Sequence, residues 1–283
     1  MGRAGIRAHD IGLYSETELP KKLAVASVPY VQLTLTDAFG ENAPTPEGLN
    51  TGYAARVRES FLQNRVGIAV LSCYINPVHP NQRVRRAEID KFCSYVRYAR
   101  DFGCSLVATE TGSLLEDLSF TPENHGEAAM GTLLESLREM VTAAEHCGVT
   151  VAIEGVHKFV AHSPESIAYI LDRIDSPHLQ VLLDPVNLLG NGNVMTAMAL
   201  AEESFDRYAT RIAAIHAKDY TCTTDGTVCL VPIGKGRMDW ATLAALCAKN
   251  KPWLPVILEE TSPATMAEEL AVLAEVFAAC GEV

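Results

Sequence analysis

"TVAIEGV", residues 150–156, opens as a β-rich apolar run and stops on a carboxylate, Glu154. One acid at a strand end decides little, because the solvated start of a loop looks the same. The ending recurs, however, in the three runs that follow. "QVLLDPV" from residue 180 reaches Asp184, "IAAIHAK" from 212 reaches His216, and "PVILEET" from 255 reaches Glu259. Consecutive apolar runs that each close on a ligand-type side chain, with a helical segment between them, read as repeated βα units.

Four runs of the same kind precede them: "AGIRAHD" from residue 4, "YVQLTLT" from 30, "VGIAVLS" from 66 and "SLVATET" from 105. Several are nearly continuous apolar stretches, as strands covered on both faces must be. Between them lie helical patterns. At 131–147, Leu133, Leu134, Leu137, Met140, Val141 and Ala144 share one face at helical spacing, and "CG" ends the segment. "TPEG" at 45, "SPES" at 163 and "SPAT" at 262 each place Ser or Thr before Pro, which predicts an N-cap followed by a first helical residue. Eight such units predict an α/β fold, a TIM (β/α)8 barrel, as a single domain over residues 1–283. A doubly wound open sheet would need a glycine-rich phosphate fingerprint after its first strand, and "RAHDIGLYS" has none. No repeat consensus points to a solenoid.

Composition agrees. The 283 residues are 48% hydrophobic, enough for one large core. A net charge of −12 repels a polyanion, which argues against a nucleic-acid partner. "MGRAGIRAHDIG" lacks the apolar centre of a signal peptide and no apolar run is long enough to span a bilayer, so the expectation is a cytoplasmic protein without a membrane partner. The oligomeric state stays open, a homo-oligomer included. Eight cysteines, at 73, 93, 104, 147, 222, 229, 247 and 280, form no C-x-x-C pair and sit mostly in apolar stretches, so free thiols are expected.

Active sites of (β/α)8 barrels lie at the C-terminal ends of the strands. Glu154, Asp184, His216 and Glu259 would therefore meet at one mouth. Three carboxylates and an imidazole repel one another without a cation, and the set suits one divalent metal ion, with Mn²⁺ the first choice before Mg²⁺, Co²⁺ and Zn²⁺. Lys218 shares strand parity with His216 and should point into the same mouth, where it is a candidate substrate contact. Glu110 ends the fourth strand and His9 and Asp10 end the first, positions from which they could reach substrate hydroxyls. His157 and Lys158 follow the fifth strand, and His157 is carried as a substrate contact. "GKGR" from 234 lacks P-loop spacing and reads as a tight turn before a helix; Trp240 and Trp253 read as packing residues.

The Glu, Asp, His, Glu set, together with "HAKDY" and "IGKGRMDW", resembles the sugar phosphate isomerase/epimerase superfamily with the xylose isomerase-like TIM barrel, over essentially the whole chain. That superfamily also contains apurinic endonucleases and dehydroshikimate dehydratases. The resemblance implies that Glu154, Asp184, His216 and Glu259 bind one divalent metal, and that Glu154 and Glu259 exchange the substrate proton as in ketose 3-epimerases. It also implies a small sugar or cyclitol as partner. The chain departs from the 3-epimerase pattern at Val160, where those enzymes carry an acid, at Cys222, where they carry an arginine, and at Asn187, where they carry a histidine. Asn187 is kept as a substrate contact at that position. The expected activity is isomerisation or epimerisation of a polyhydroxy carbonyl compound through a metal-stabilised enediolate. A dehydroshikimate- or inosose-type lyase is the alternative. A sugar-binding barrel without catalysis and an apurinic endonuclease-like hydrolase stand behind it.

Overall fold

The computed structural model describes residues 4–45, 47–190 and 196–280. Its strands are β1 (Ala4–Arg7), β2 (Tyr30–Thr34), β3 (Gly67–Ser72), β4 (Leu106–Glu110), β5 (Thr150–Glu154), β6 (Leu179–Leu183), β7 (Ile212–Ala217), β8 (Asp219–Cys222), β9 (Val228–Val231) and β10 (Val256–Leu258). The helices are α1 (Leu19–Val25), α2 (Leu35–Phe39), α3 (Thr51–Gln63), α4 (Gln82–Tyr98), α5 (Glu127–Cys147), α6 (Pro164–Arg173), α7 (Ala197–Tyr208), α8 (Trp240–Asn250) and α9 (Met266–Ala279). Eight strands close into a barrel in the order β1-β10-β7-β6-β5-β4-β3-β2, so all eight expected runs are barrel strands. β8 and β9 form an antiparallel hairpin beside it, which has no counterpart among the expected elements.

The barrel explains the apolar runs. Outward-facing Ile6, Val31, Leu33, Leu71, Val107, Ile153, Val181 and Ile215 are fully buried beneath the helices. The inward face is carried round by register: Gln32 pairs with Val70, Thr34 with Ser72, Ser72 with Ala108, Glu110 with Glu154, Glu154 with Leu182, Leu182 with Ala214, and His216 with Ile257. Residues at these positions and two further along therefore face the barrel axis. α5 covers its strands through Leu133, Leu137, Met140 and Ala144, all fully buried, each of the larger ones contributing about 1.5–3 kcal/mol. Gly148 ends it in the left-handed conformation, φ 63°, which glycine adopts without Cβ strain.

Some boundaries differ from the sequence reading. β1 stops at Arg7, and Ala8–Ile11 form a 3₁₀ turn, so His9 and Asp10 are turn residues rather than strand ends. After β2 the chain turns helical at Leu35. "SPES" is a capping box: Ser163 accepts from the Ser166 N–H and caps α6. "SPAT" instead forms the turn before α9, which starts at Met266. In "TPEG", Pro46 lies outside the described residues; Thr45 accepts from the Gly48 N–H in a turn, and α3 starts at Thr51 with Asn50 as its cap. Trp240 is buried, but Trp253 is 64% exposed and is not a core residue. All eight cysteines are free thiols. No helix among the described residues is long and apolar enough to cross a membrane.

Candidate metal centre

Each member of the Glu, Asp, His, Glu set leaves the C-terminal end of its own strand. Glu154 ends β5, Asp184 follows β6, His216 is the next-to-last residue of β7 and Glu259 follows β10. All four are buried, and one ligand atom from each falls within 4.8 Å of the others. His216 Nδ1 lies 3.2 Å from Glu154 Oε1, 3.1 Å from Glu259 Oε2 and 3.8 Å from Asp184 Oδ2. Asp184 Oδ2 and Glu259 Oε2 are buried without a hydrogen bond of good geometry, although Lys218 Nζ is 3.0 and 2.8 Å away. Buried oxygens of this kind call for a cation. The spacing and the donor set fit a divalent ion, which would take the place that the Lys218 ammonium holds beside these oxygens.

Other groups hold the cluster in shape. Asp184 Oδ1 accepts from the N–H groups of Val186 and Asn187 at 2.9 and 3.0 Å, which aims Oδ2 at the centre. Asn187 Nδ2 donates to Glu154 Oε1 at 2.7 Å, and its Oδ1 accepts from Lys218 Nζ at 3.0 Å. Asn187 and Lys218 thus both touch the cluster. Glu110 faces the same mouth beside Glu154. His157 does not join the cluster: its N–H and Nδ1 bond the Asn187 carbonyl at 2.8 and 3.3 Å. Lys158 lies over the Phe159 ring at 4.9 Å. Asp10 accepts from Arg7 at 2.9 Å, and His9 Nε2 lies 3.8 Å from Asp10 Oδ1.

Electrostatics differ across the mouth. Burial opposes charge on Glu259, but His216, Lys218 and Arg7 hold it well below the usual carboxylate range. Burial, then repulsion from Glu154 and Glu259, pushes Glu110 up to about 8. Burial also raises Asp184, against the attraction of Lys218. His216 is pushed down by burial, yet the Glu259 and Glu154 carboxylates outweigh this and raise it to about 10.

Three site residues escaped the sequence reading. Arg7 Nη1 donates to Glu259 Oε1 at 2.5 Å, and its Nη2 pairs with Glu260 at 3.0 Å. Glu260 itself has φ 59°, a strained conformation for a non-glycine residue immediately beside the cluster. Gln32 bonds His216 from β2, and Tyr74, past the end of β3, bonds Gln32 and Glu154. A signal existed for the first two: each is a polar residue inside an otherwise buried strand, at an inward position. Tyr74 had none, being a loop residue. The "GKGR" loop is the tight turn expected: the Gly234 and Gly236 N–H groups donate to the Asp219 carboxylate, and those of Lys235 and Arg237 to the Pro232 and Tyr220 carbonyls.

The fold and the site together define a (β/α)8 barrel with a buried carboxylate and imidazole cluster, suited to a divalent metal, at its catalytic end. The chain belongs to the xylose isomerase-like TIM barrel family, whose model matches residues 22–276. No curated protein matches the sequence. Among solved structures it is similar to a D-tagatose 3-epimerase-like protein at 19% identity and TM-score 0.75, over 99% of this chain and 98% of that one. It is similar to a xylose isomerase-like TIM barrel protein from Mycobacterium smegmatis in complex with magnesium, at 15% identity and TM-score 0.75 over 98% and 94% of the two chains. A third is D-psicose 3-epimerase with D-tagatose from Clostridium cellulolyticum H10, at 11% identity and TM-score 0.73 over 99% of each chain. At such identities the likeness is one of fold.

Proposed function

We propose that this protein is a divalent-metal-dependent isomerase or epimerase of a small sugar or other polyhydroxy carbonyl compound. Glu154, Asp184, His216 and Glu259 are the metal ligands, with Mn²⁺ preferred. The observation that carries this reading is the buried cluster itself, four ligand-type side chains from four strand ends with ligand atoms within 4.8 Å of one another. When bound, a divalent ion supplies Lewis-acid stabilisation to an oxyanion that develops beside the departing proton. Glu154 and Glu259 sit on β5 and after β10, on different sides of the mouth, and one removes the proton next to the carbonyl while the other returns it. Return on the opposite face of one carbon epimerises; return at the neighbouring carbon isomerises. Glu259, held ionised by His216, Lys218 and Arg7, is ready to accept a cation. A metal held by the carboxylates would leave Lys218, at the same mouth, to hold a substrate oxygen.

One observation favours a second reading, a lyase. Glu110, raised to about 8, is a neutral acid at the same mouth and is placed to protonate a departing hydroxyl.

The test pairs metal content with isotope exchange. Purified protein should carry close to one divalent ion per chain, and Asp184→Ala should lose it. With ketoses and cyclitols in deuterated water, the loaded protein should wash deuterium into the carbon beside the carbonyl. Glu259→Gln should slow exchange about 10²- to 10⁴-fold while keeping most of the metal. Full metal occupancy in Asp184→Ala sinks the site, and loss of water from substrate selects the lyase.

A further inference from the structure

Gln32 lies midway along β2, fully buried, with its side chain across the floor of the barrel mouth. Its two amide ends meet different partners. Oε1 is 2.7 Å from His216 Nε2, and Nε2 donates to the Tyr74 hydroxyl at 2.9 Å. Because the Tyr74 oxygen accepts from the amide, its own proton points to Glu154 Oε2, 3.4 Å away. Glu154 Oε1 is meanwhile taken by Asn187.

This arrangement orients two protons at once. Once its Nδ1 proton is given up, an imidazole whose Nε2–H donates to an amide oxygen presents the Nδ1 lone pair, and Nδ1 is the atom that faces Glu154, Asp184 and Glu259. The opposite amide orientation would set an N–H donor against Nε2, drive the imidazole proton to Nδ1, and leave an N–H where a cation must sit. It would also turn the amide oxygen toward the Tyr74 hydroxyl, drawing that proton away from Glu154. Both ends of the amide therefore favour one orientation.

We infer that Gln32 is the positioning residue of the metal centre: it selects the His216 tautomer that ligates through Nδ1. This rests on the metal-centre reading above and adds to it a residue outside the ligand set, on the strand nearly opposite β7 in the barrel. Groups that fix a ligand's tautomer typically change metal affinity by about 10- to 100-fold when removed.

The test uses calorimetric titration of the full chain with Co²⁺ alone. Gln32→Leu should bind Co²⁺ about 10- to 100-fold more weakly than wild type. Gln32→Glu keeps an oxygen for the His216 Nε2–H and should bind at least as tightly as wild type. Nitrogen NMR of the Zn²⁺-loaded wild type should show His216 protonated at Nε2. Tyr74→Phe leaves the Gln32 to His216 bond intact and should stay within a few-fold of wild type. Wild-type affinity in Gln32→Leu overturns the inference, and so does a Gln32→Glu that weakens as far as Gln32→Leu, since that marks a packing role. Should Gln32→Leu fail to fold, Gln32→Glu and the NMR tautomer decide. A wild type that binds no Co²⁺ instead overturns the metal centre itself, and Gln32's role with it.

Discussion

At the scale of single residues, the cluster works by opposing charge and burial. His216 rises from 6.5 to about 10 because two glutamates outweigh its burial, and Glu110 rises from 4.5 to about 8 because burial and the same glutamates disfavour its charge. The sign follows in both cases. The metal-free fold holds protons that the unfolded chain has released, so these groups lower stability as pH climbs from about 5 to about 10. Metal binding runs the other way, because a ligating imidazole must give up a proton and affinity rises with pH. Melting curves with EDTA should therefore shift to lower temperature as pH rises, and the gap to curves with Mn²⁺ should widen. A constant gap would mean that no proton is displaced from the cluster.

At the scale of elements, β8 and the loop before α8 are joined by Asp219. Its carboxylate accepts from the N–H groups of Tyr220, Gly234, Gly236 and Met238 and from Trp240 Nε1, at 2.8 to 3.2 Å. That is why "HAKDY" and "IGKGRMDW" belong together: one motif supplies the acid and the other the donors it gathers. Gly236 lies so close that an added Cβ would be 2.2 Å from Asp219 Oδ1 and 2.5 Å from the Tyr220 carbonyl. Gly236→Ala should cost roughly 1–3 kcal/mol in chemical denaturation, through overpacking. Asp219→Asn should lose a similar amount, about 1–3 kcal/mol, because an amide nitrogen cannot accept those bonds. A neutral Gly236→Ala would show that the loop does not close on Asp219 in solution. The adjacent residue, Lys218, points the opposite way, into the mouth, as strand alternation requires.

At the scale of the whole molecule, two layers of burial separate the thiols. Cys73, Cys104 and Cys247 are buried, and burial pushes them up to about 12, 11 and 12. Thiol labelling near neutral pH should spare these three until global unfolding, whereas denatured, non-reduced protein should titrate all eight. Labelling of Cys73 in the native protein at the rate of an exposed thiol would contradict the packing of β3 against its helices. The barrel was legible in the chain because strands covered on both faces must be apolar throughout, and because the polar exceptions, Glu154, Asp184, His216 and Glu259, recur at strand ends. Lys218's direction followed from alternation alone. What the chain did not disclose is which groups hold those four side chains. Gln32 meets His216 across 184 residues of sequence and Arg7 meets Glu259 across 252. Trp253 likewise reads as a core residue until the barrel's end leaves it exposed. Sequence by itself determined the strands, their order along the chain and the ligand types, because alternation and strand-end chemistry are local. Only tertiary structure decided the partners, because closing the barrel sets β2 nearly opposite β7 and β1 beside β10, and no local pattern encodes which side chains meet across that closure.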